Sequence, residues 1–121
     1  MLEHISVPVT NFAKAKKFYV AALKTLGYKL TMDFSPEAAG FKEGGHTSLW
    51  IVAKKGKITK THVAFRAKSK KAVQNFHKAA LKAGGKDNGK PGLRKEYSPT
   101  YYAAFVLDPD GNNIEAVVFK K

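Results

Sequence analysis

Cysteine is absent from this 121-residue chain, which excludes a disulfide framework, a thiolate metal site and a cysteine nucleophile. Arginine is nearly absent. Only Arg66 and Arg94 are present, and arginine is the usual reader of phosphates and base edges. No apolar run approaches the roughly 20 residues of a membrane span, and the N-terminal stretch has neither a basic leader nor a long apolar core. The expectation is a soluble, cytoplasmic protein with no membrane partner. Acidic residues are scarce as well: 9 Asp and Glu face 22 Lys and Arg, for a net charge of +13. The lysines run from Lys14 to Lys121 in pairs or clusters such as Lys16-Lys17, Lys54-Lys55 and Lys68-Ser69-Lys70-Lys71. So diffuse a pattern fits a solubilising surface, with functional attraction of anions as the alternative. Nucleic-acid binding would rest on charge alone.

What is present is regular. A hydrophobic content of 44% at ordered spacing argues against disorder and for one domain over residues 1–121. Residues 2–9 alternate as a strand, with Ile5, Val7 and Val9 on one face and His4, Ser6 and Pro8 on the other. Asn11 caps a helix carrying Phe12, Ala15, Phe18, Tyr19, Ala22, Leu23 and Leu26 at helical spacing, and Gly27 stops it. Strands follow over 28–34, 38–41 and 49–53, with Gly44-Gly45 as a turn. Then the pattern restarts. Thr61 to Ala67 form a strand, Ser69 caps a second helix through Val73, Phe76, Ala80 and Leu81, and Gly84-Gly85 ends it. Residues 86–99, rich in Gly, Pro, Asn and Lys, read as a loop with one short strand.

The halves align without gaps at an offset of 58: His4 on His62, Phe18 on Phe76, Gly27 on Gly85. Past an insertion, Leu49-Trp50-Ile51 falls on Ile114-Glu115-Ala116. This is an α+β chain of two βαβββ modules, about 1–56 and 57–121.

The last module closes on Asp108-Pro109-Asp110-Gly111, a turn between two strands and structural in itself. Beyond it Ile114, Ala116 and Val118 alternate with Glu115, so a carboxylate sits on an otherwise buried strand and needs a partner. By strand parity His4, His62 and Glu115 all point away from the helix-facing side. A pseudo-twofold would bring both histidines to one axis beside Glu115. Two imidazoles and a carboxylate with open positions suit Fe(II), Mn(II), Zn(II), Ni(II) or Co(II).

Leu2-Glu3-His4-Ile5-Ser6-Val7, Lys17-Phe18-Tyr19, Thr61-His62-Val63-Ala64-Phe65 and Asp108-Pro109-Asp110-Gly111-Asn112-Asn113-Ile114-Glu115 resemble the vicinal oxygen chelate superfamily. That superfamily includes glyoxalase I, extradiol dioxygenases, fosfomycin-resistance transferases, methylmalonyl-CoA epimerase and bleomycin-resistance proteins. The resemblance covers essentially the whole chain. It implies half-barrel mixed sheets enclosing a cavity, helices outside, and a metal that chelates vicinal oxygens, with His4, His62 and Glu115 where the family's ligands sit. It also implies a homodimer, since many relatives build or complete the cavity that way. One departure is plain. Where glyoxalase I supplies a fourth ligand, a glutamate, this chain has Trp50, and an indole offers only an N–H donor. That counts against glyoxalase I itself and leaves a three-ligand site.

Trp50 is either a cavity wall that stacks on a flat substrate or a core aromatic. Of Tyr101 and Tyr102 one faces inward as a proton or hydrogen-bond donor, and Tyr101 shares parity with Phe105 and Glu115 if the turn adds no bulge. Arg66 shares parity with His62, about 13 Å along the strand, where it clamps an anion or forms a surface salt bridge. Phe105 joins Trp50 and Arg66 as a candidate substrate contact. His46 reads as a solvated loop residue and His77 as a helix-surface histidine. Two functions remain: a divalent-metal enzyme acting on a small, anionic, oxygen-chelating substrate as lyase or isomerase, dioxygenase or thiol transferase, or a non-catalytic small-molecule binder with an empty metal site. Cationic bleomycin itself is a poor ligand for a chain at +13.

Overall fold

The computed structural model describes residues 1–120. In chain order they form β1 (Ile5–Val9), α1 (Phe12–Lys24), β2 (Lys29–Phe34), β3 (Ala38–Glu43), β4 (His46–Ala53), β5 (His62–Arg66), α2 (Lys70–Lys82), β6 (Lys86–Leu93), β7 (Tyr101–Leu107) and β8 (Asn113–Phe119). This is βαβββ twice over. The Asn11 and Ser69 side chains accept from the backbone N–H three residues on, so both expected N-caps form. The first helix ends where Gly27 takes φ +87°, which an L side chain rarely adopts.

Each module makes one four-stranded mixed sheet, in the orders β1-β4-β3-β2 and β5-β8-β7-β6. The repeat extends to register. Ile5 lies opposite Leu49 across the parallel pair β1–β4, and Val63 lies opposite Ile114 across β5–β8. Trp50 and Glu115 therefore occupy corresponding places, as the offset of the two halves requires.

Residues 86–93 differ from the expectation of a loop with a short strand: they form the eight-residue edge strand β6. Its register with β7 shifts on both sides of Gly89. Glycines and bulges erase the period-two pattern, and pairing with β7 carries the strand instead. β4 likewise begins at His46 rather than Leu49.

One core joins the modules. Val7, Val9, Phe41, Leu49 and Ile51 from the first sheet meet Phe65, Ala104, Val106, Ile114 and Val118 from the second, with Phe18, Tyr19, Val73 and Phe76 of the helices among them. Both sheets thus bury the helix-bearing face and turn the other outward. Neither closes into a barrel, each keeping two free edges. On the outward faces Met32, Phe34 and Val52 of the first sheet and Phe119 of the second stand exposed.

Candidate functional site

The outward face of the second sheet is set by alternation along β7 and β8. Register places Tyr101 opposite Phe119, Ala103 opposite Val117 and Phe105 opposite Glu115, and Tyr101, Ala103, Phe105 and Val117 pack as a small cluster of their own. No bulge interrupts this ladder, so Tyr101 is the tyrosine on the Glu115 face. Tyr102 stands on the opposite face, where Gln74 Nε2 donates to its hydroxyl at 3.0 Å and Lys70 lies over its ring. The geometry takes Tyr102 out of the candidate group.

Glu115 is 1% exposed, and both of its oxygens are engaged. His62 Nε2 lies 2.8 Å from Oε1, and the Tyr101 hydroxyl donates to Oε2. The buried carboxylate has found the partners it needs. Burial and the hydrogen bond to Glu115 push the Tyr101 phenol up to about 12, so it keeps its proton at neutral pH. The His62 side chain is 51% exposed, which leaves the carboxylate–imidazole pair open to solvent on the imidazole side.

Two arginines flank the pair. Arg66 sits over the Phe119 ring at 5.2 Å and Arg94 over the Phe105 ring at 5.3 Å. Arg94 was not singled out from sequence, because it lies in the irregular stretch after β6. Its guanidinium is steered by the carbonyls of Gly92 (2.9 Å) and Lys90 (2.6 Å), a fixing that composition does not encode. Asn113, two residues before Glu115 on β8, was also missed. Its Oδ1 is buried and accepts no hydrogen bond from the described residues.

His4 lies elsewhere. It precedes β1 in the first module, exposed, with Nδ1 2.5 Å from Glu3 Oε1. His46 Nε2 joins that end of the sheet through the Glu3 carbonyl at 2.6 Å, so it opens β4 rather than sitting free in a loop. Among the described residues no three His, Cys, Asp or Glu side chains are placed to hold a metal ion. The single chain brings together His62 and Glu115 and leaves His4 apart. His77 lies on α2, paired with Asp87 at 2.9 Å, which holds the Asp87 carboxyl below its usual range.

Trp50 occupies the matching outward position of the first sheet, opposite Ser6 and Gly40. It stacks on Phe34 with the rings 4° from parallel and 6.2 Å apart. A Cβ at position 40 would lie 3.0 Å from the indole, so Gly40 is what lets the ring lie flat on the sheet. Trp50 is thus an outward aromatic rather than part of the helix-facing core.

The model of the Glyoxalase/Bleomycin resistance protein/Dioxygenase superfamily matches residues 1–116. The chain belongs to that superfamily. Among solved structures, a glyoxalase/bleomycin resistance protein from Albidiferax ferrireducens T118 is 30% identical, with 97% of each chain covered and a TM-score of 0.80. A putative glyoxalase from Bacillus halodurans is 22% identical over 97% of this chain and 94% of its own, with a TM-score of 0.73. Lactoylglutathione lyase from Agrobacterium tumefaciens is 16% identical over 97% of this chain and 92% of its own, with a TM-score of 0.69. The last two share the fold. No curated protein matches the chain. Superfamily membership accounts for the doubled βαβββ architecture.

Proposed function

We propose that this protein is a divalent-metal-dependent enzyme acting on a small anionic substrate, with each site assembled between two copies of the chain. The observation that carries the proposal is the outward-facing, buried Glu115, held between His62 and Tyr101 on an open sheet face. One imidazole nitrogen and one carboxylate oxygen at 2.8 Å are a fitting but incomplete donor set for Fe, Mn, Zn, Ni or Co. His4 of a second copy would complete it. An isologous twofold pair would place the first module of each chain against the second module of the other and make two such sites. It would also cover Met32, Phe34, Val52 and Phe119, which one chain leaves exposed.

The metal would supply Lewis acidity toward paired oxygens of the substrate. The remaining roles belong to the chain itself. Tyr101, protonated at neutral pH, fixes the Glu115 carboxylate through Oε2 and leaves Oε1 turned to His62. Arg66 and Arg94 put two permanent positive charges over the apolar rings of Phe119 and Phe105, a surface suited to an anionic, partly apolar substrate. The reaction class stays among lyase or isomerase, ring-cleaving dioxygenase and thiol transfer to an epoxide.

The test is metal content by plasma mass spectrometry after anaerobic loading and desalting. Wild type should retain near-stoichiometric metal, and His4→Ala, His62→Ala and Glu115→Ala should each lose it. Refolding a 1:1 mixture of His4→Ala and Glu115→Ala chains should restore about a quarter of the wild-type content, because half the dimers are mixed and each mixed dimer holds one intact site. Negligible metal in wild type would instead favour the second reading, a small-molecule binder. The stacked, outward Trp50–Phe34 pair supports that alternative as a platform for a flat ligand.

A further inference from the structure

A cavity of about 720 Å³ lies away from the Glu115 group, lined by the loop between β1 and α1, the end of α2 and the turn before β8. Five lysines line it: Lys14, Lys17, Lys60, Lys82 and Lys86. Two carboxylates are present, Asp108 and Asp110, and both are committed to uncharged donors. Asp108 is 3% exposed and accepts from the Tyr19 hydroxyl and from the Asn112 backbone and side chain. Asp110 accepts from the Thr10 backbone N–H at 3.0 Å and from its hydroxyl. Among the described residues the one lysine in an ion pair is Lys16, with Asp33, and it lies outside this cavity. Five lysines without an ion pair among the described residues therefore line one space.

Thr10 and Asn11 line the cavity at the start of α1, whose first turn carries no acidic residue, and Asp110 already meets the Thr10 N–H there, so the lysines rather than the helix end carry the positive field. The end of α2 contributes the opposite sign, and Lys82 and Lys86 lie beside it. Lys60 lies across Gly111, at φ +90°, with Cε 3.0 Å from where a Cβ would stand. A side chain at 111 would push that ammonium aside.

Clustered like charges repel, and folding gains nothing from gathering them. We propose that this cleft is a binding site for a phosphate chain, either free oligophosphate or the triphosphate of a nucleotide. The volume lies within the range of small-ligand sites. Lysines converging from four segments suit charge spread over several phosphates better than one carboxylate. Arginine forks, the usual choice for planar bidentate groups, are missing from the lining.

The experiment is a titration of uniformly 15N-labelled full-length protein at physiological salt with tripolyphosphate, ATP, adenosine, citrate and a short DNA duplex, followed by amide shifts. The Asn11, Gly84 and Gly111 amides should move saturably with tripolyphosphate and ATP. Lys14→Gln/Lys60→Gln should weaken binding at least about tenfold, the scale of losing charge-assisted contacts. Lys68→Gln/Lys71→Gln provides the charge-matched control, since each pair takes the net charge from +13 to +11. Lys71 is about 16 Å from Lys82 by helix rise, and this control should weaken binding less than about twofold. Tighter binding of ATP than of tripolyphosphate identifies a nucleotide as the source of the phosphates, and equal binding identifies the chain alone. Equal weakening by the two variants, shifts spread without saturation over the lysine surface, or preference for citrate or for duplex DNA at equal phosphate overturns the site.

Discussion

Replacing Tyr19 with phenylalanine removes one oxygen from the place where the two modules are fastened together. Tyr19 is fully buried on α1, edge-on to Phe18 at 5.0 Å, and its hydroxyl donates to Asp108 Oδ2 at 2.6 Å. Asp108 in turn accepts the backbone N–H groups of Asp110 and Asn112 at Oδ1 and the Asn112 amide at Oδ2. Asn112 carries the connection onward by donating to the Pro8 carbonyl and accepting from the Thr61 N–H. The phenylalanine ring keeps the packing, so the variant isolates one charge-assisted hydrogen bond inside the core, a loss of about 1.5–3 kcal/mol. With an unfolding entropy on the order of 0.25 kcal/mol/K for a chain this long, the melting temperature should fall about 6–12 °C. Calorimetry at matched protein concentration reads it, since association would shift the midpoint. Asp108→Ala should cost more, because it leaves two backbone donors and an amide without their acceptor. The double variant should fall well short of the sum of the two losses. A Tyr19→Phe midpoint within 2 °C of wild type would refute the reasoning: the carboxylate would then be satisfied by its three remaining donors. Glu115 begins only three residues after Asn112. A loosened fastening should therefore also lower metal retention.

Tyr101 makes the chain sensitive to alkaline pH. Burial and the hydrogen bond to Glu115 push its phenol from the ordinary 10.0 up to about 12 in the folded chain. Between those values the unfolded chain has released the proton and the folded one retains it, so stability falls as pH rises through that window. Tyr101→Phe should lack this component, and urea midpoints of the two proteins should converge between pH 10 and pH 12. Gly40→Ala places a methyl 2.7 Å from Thr47 Cγ2 and 3.0 Å from the Trp50 ring. It should cost about 1–3 kcal/mol by overpacking and change the emission of the sole tryptophan; an unchanged spectrum and urea midpoint would contradict the close approach of Trp50 to the sheet.

The repeat made half of the candidate site legible. An offset of 58 that superposes His4 on His62 also superposes Trp50 on Glu115 once the insertion is crossed, and strand parity then sends all four outward. Patterns of period two and 3.6 record which face of an element is buried, because burial is what they respond to. They do not record which outward faces meet. His4 and Glu115 share a parity and yet stand apart within one chain, since one core fills the space between the helix-bearing faces and turns both site faces to the outside. Whether a second copy covers those faces is a matter of surface shape and exposed area, which no periodicity carries. The same limit hid Arg94, which is positioned by carbonyls in a bulged, glycine-rich stretch where side-chain alternation is broken. It left Tyr101 and Tyr102 undecided until pairing with Phe119 and Val118 fixed the register. It also concealed the lysine cleft, whose five lysines come from four segments and look in sequence like any other solvated lysines. What sequence withholds here is convergence between segments, and the candidate site and the lysine cleft both depend on it.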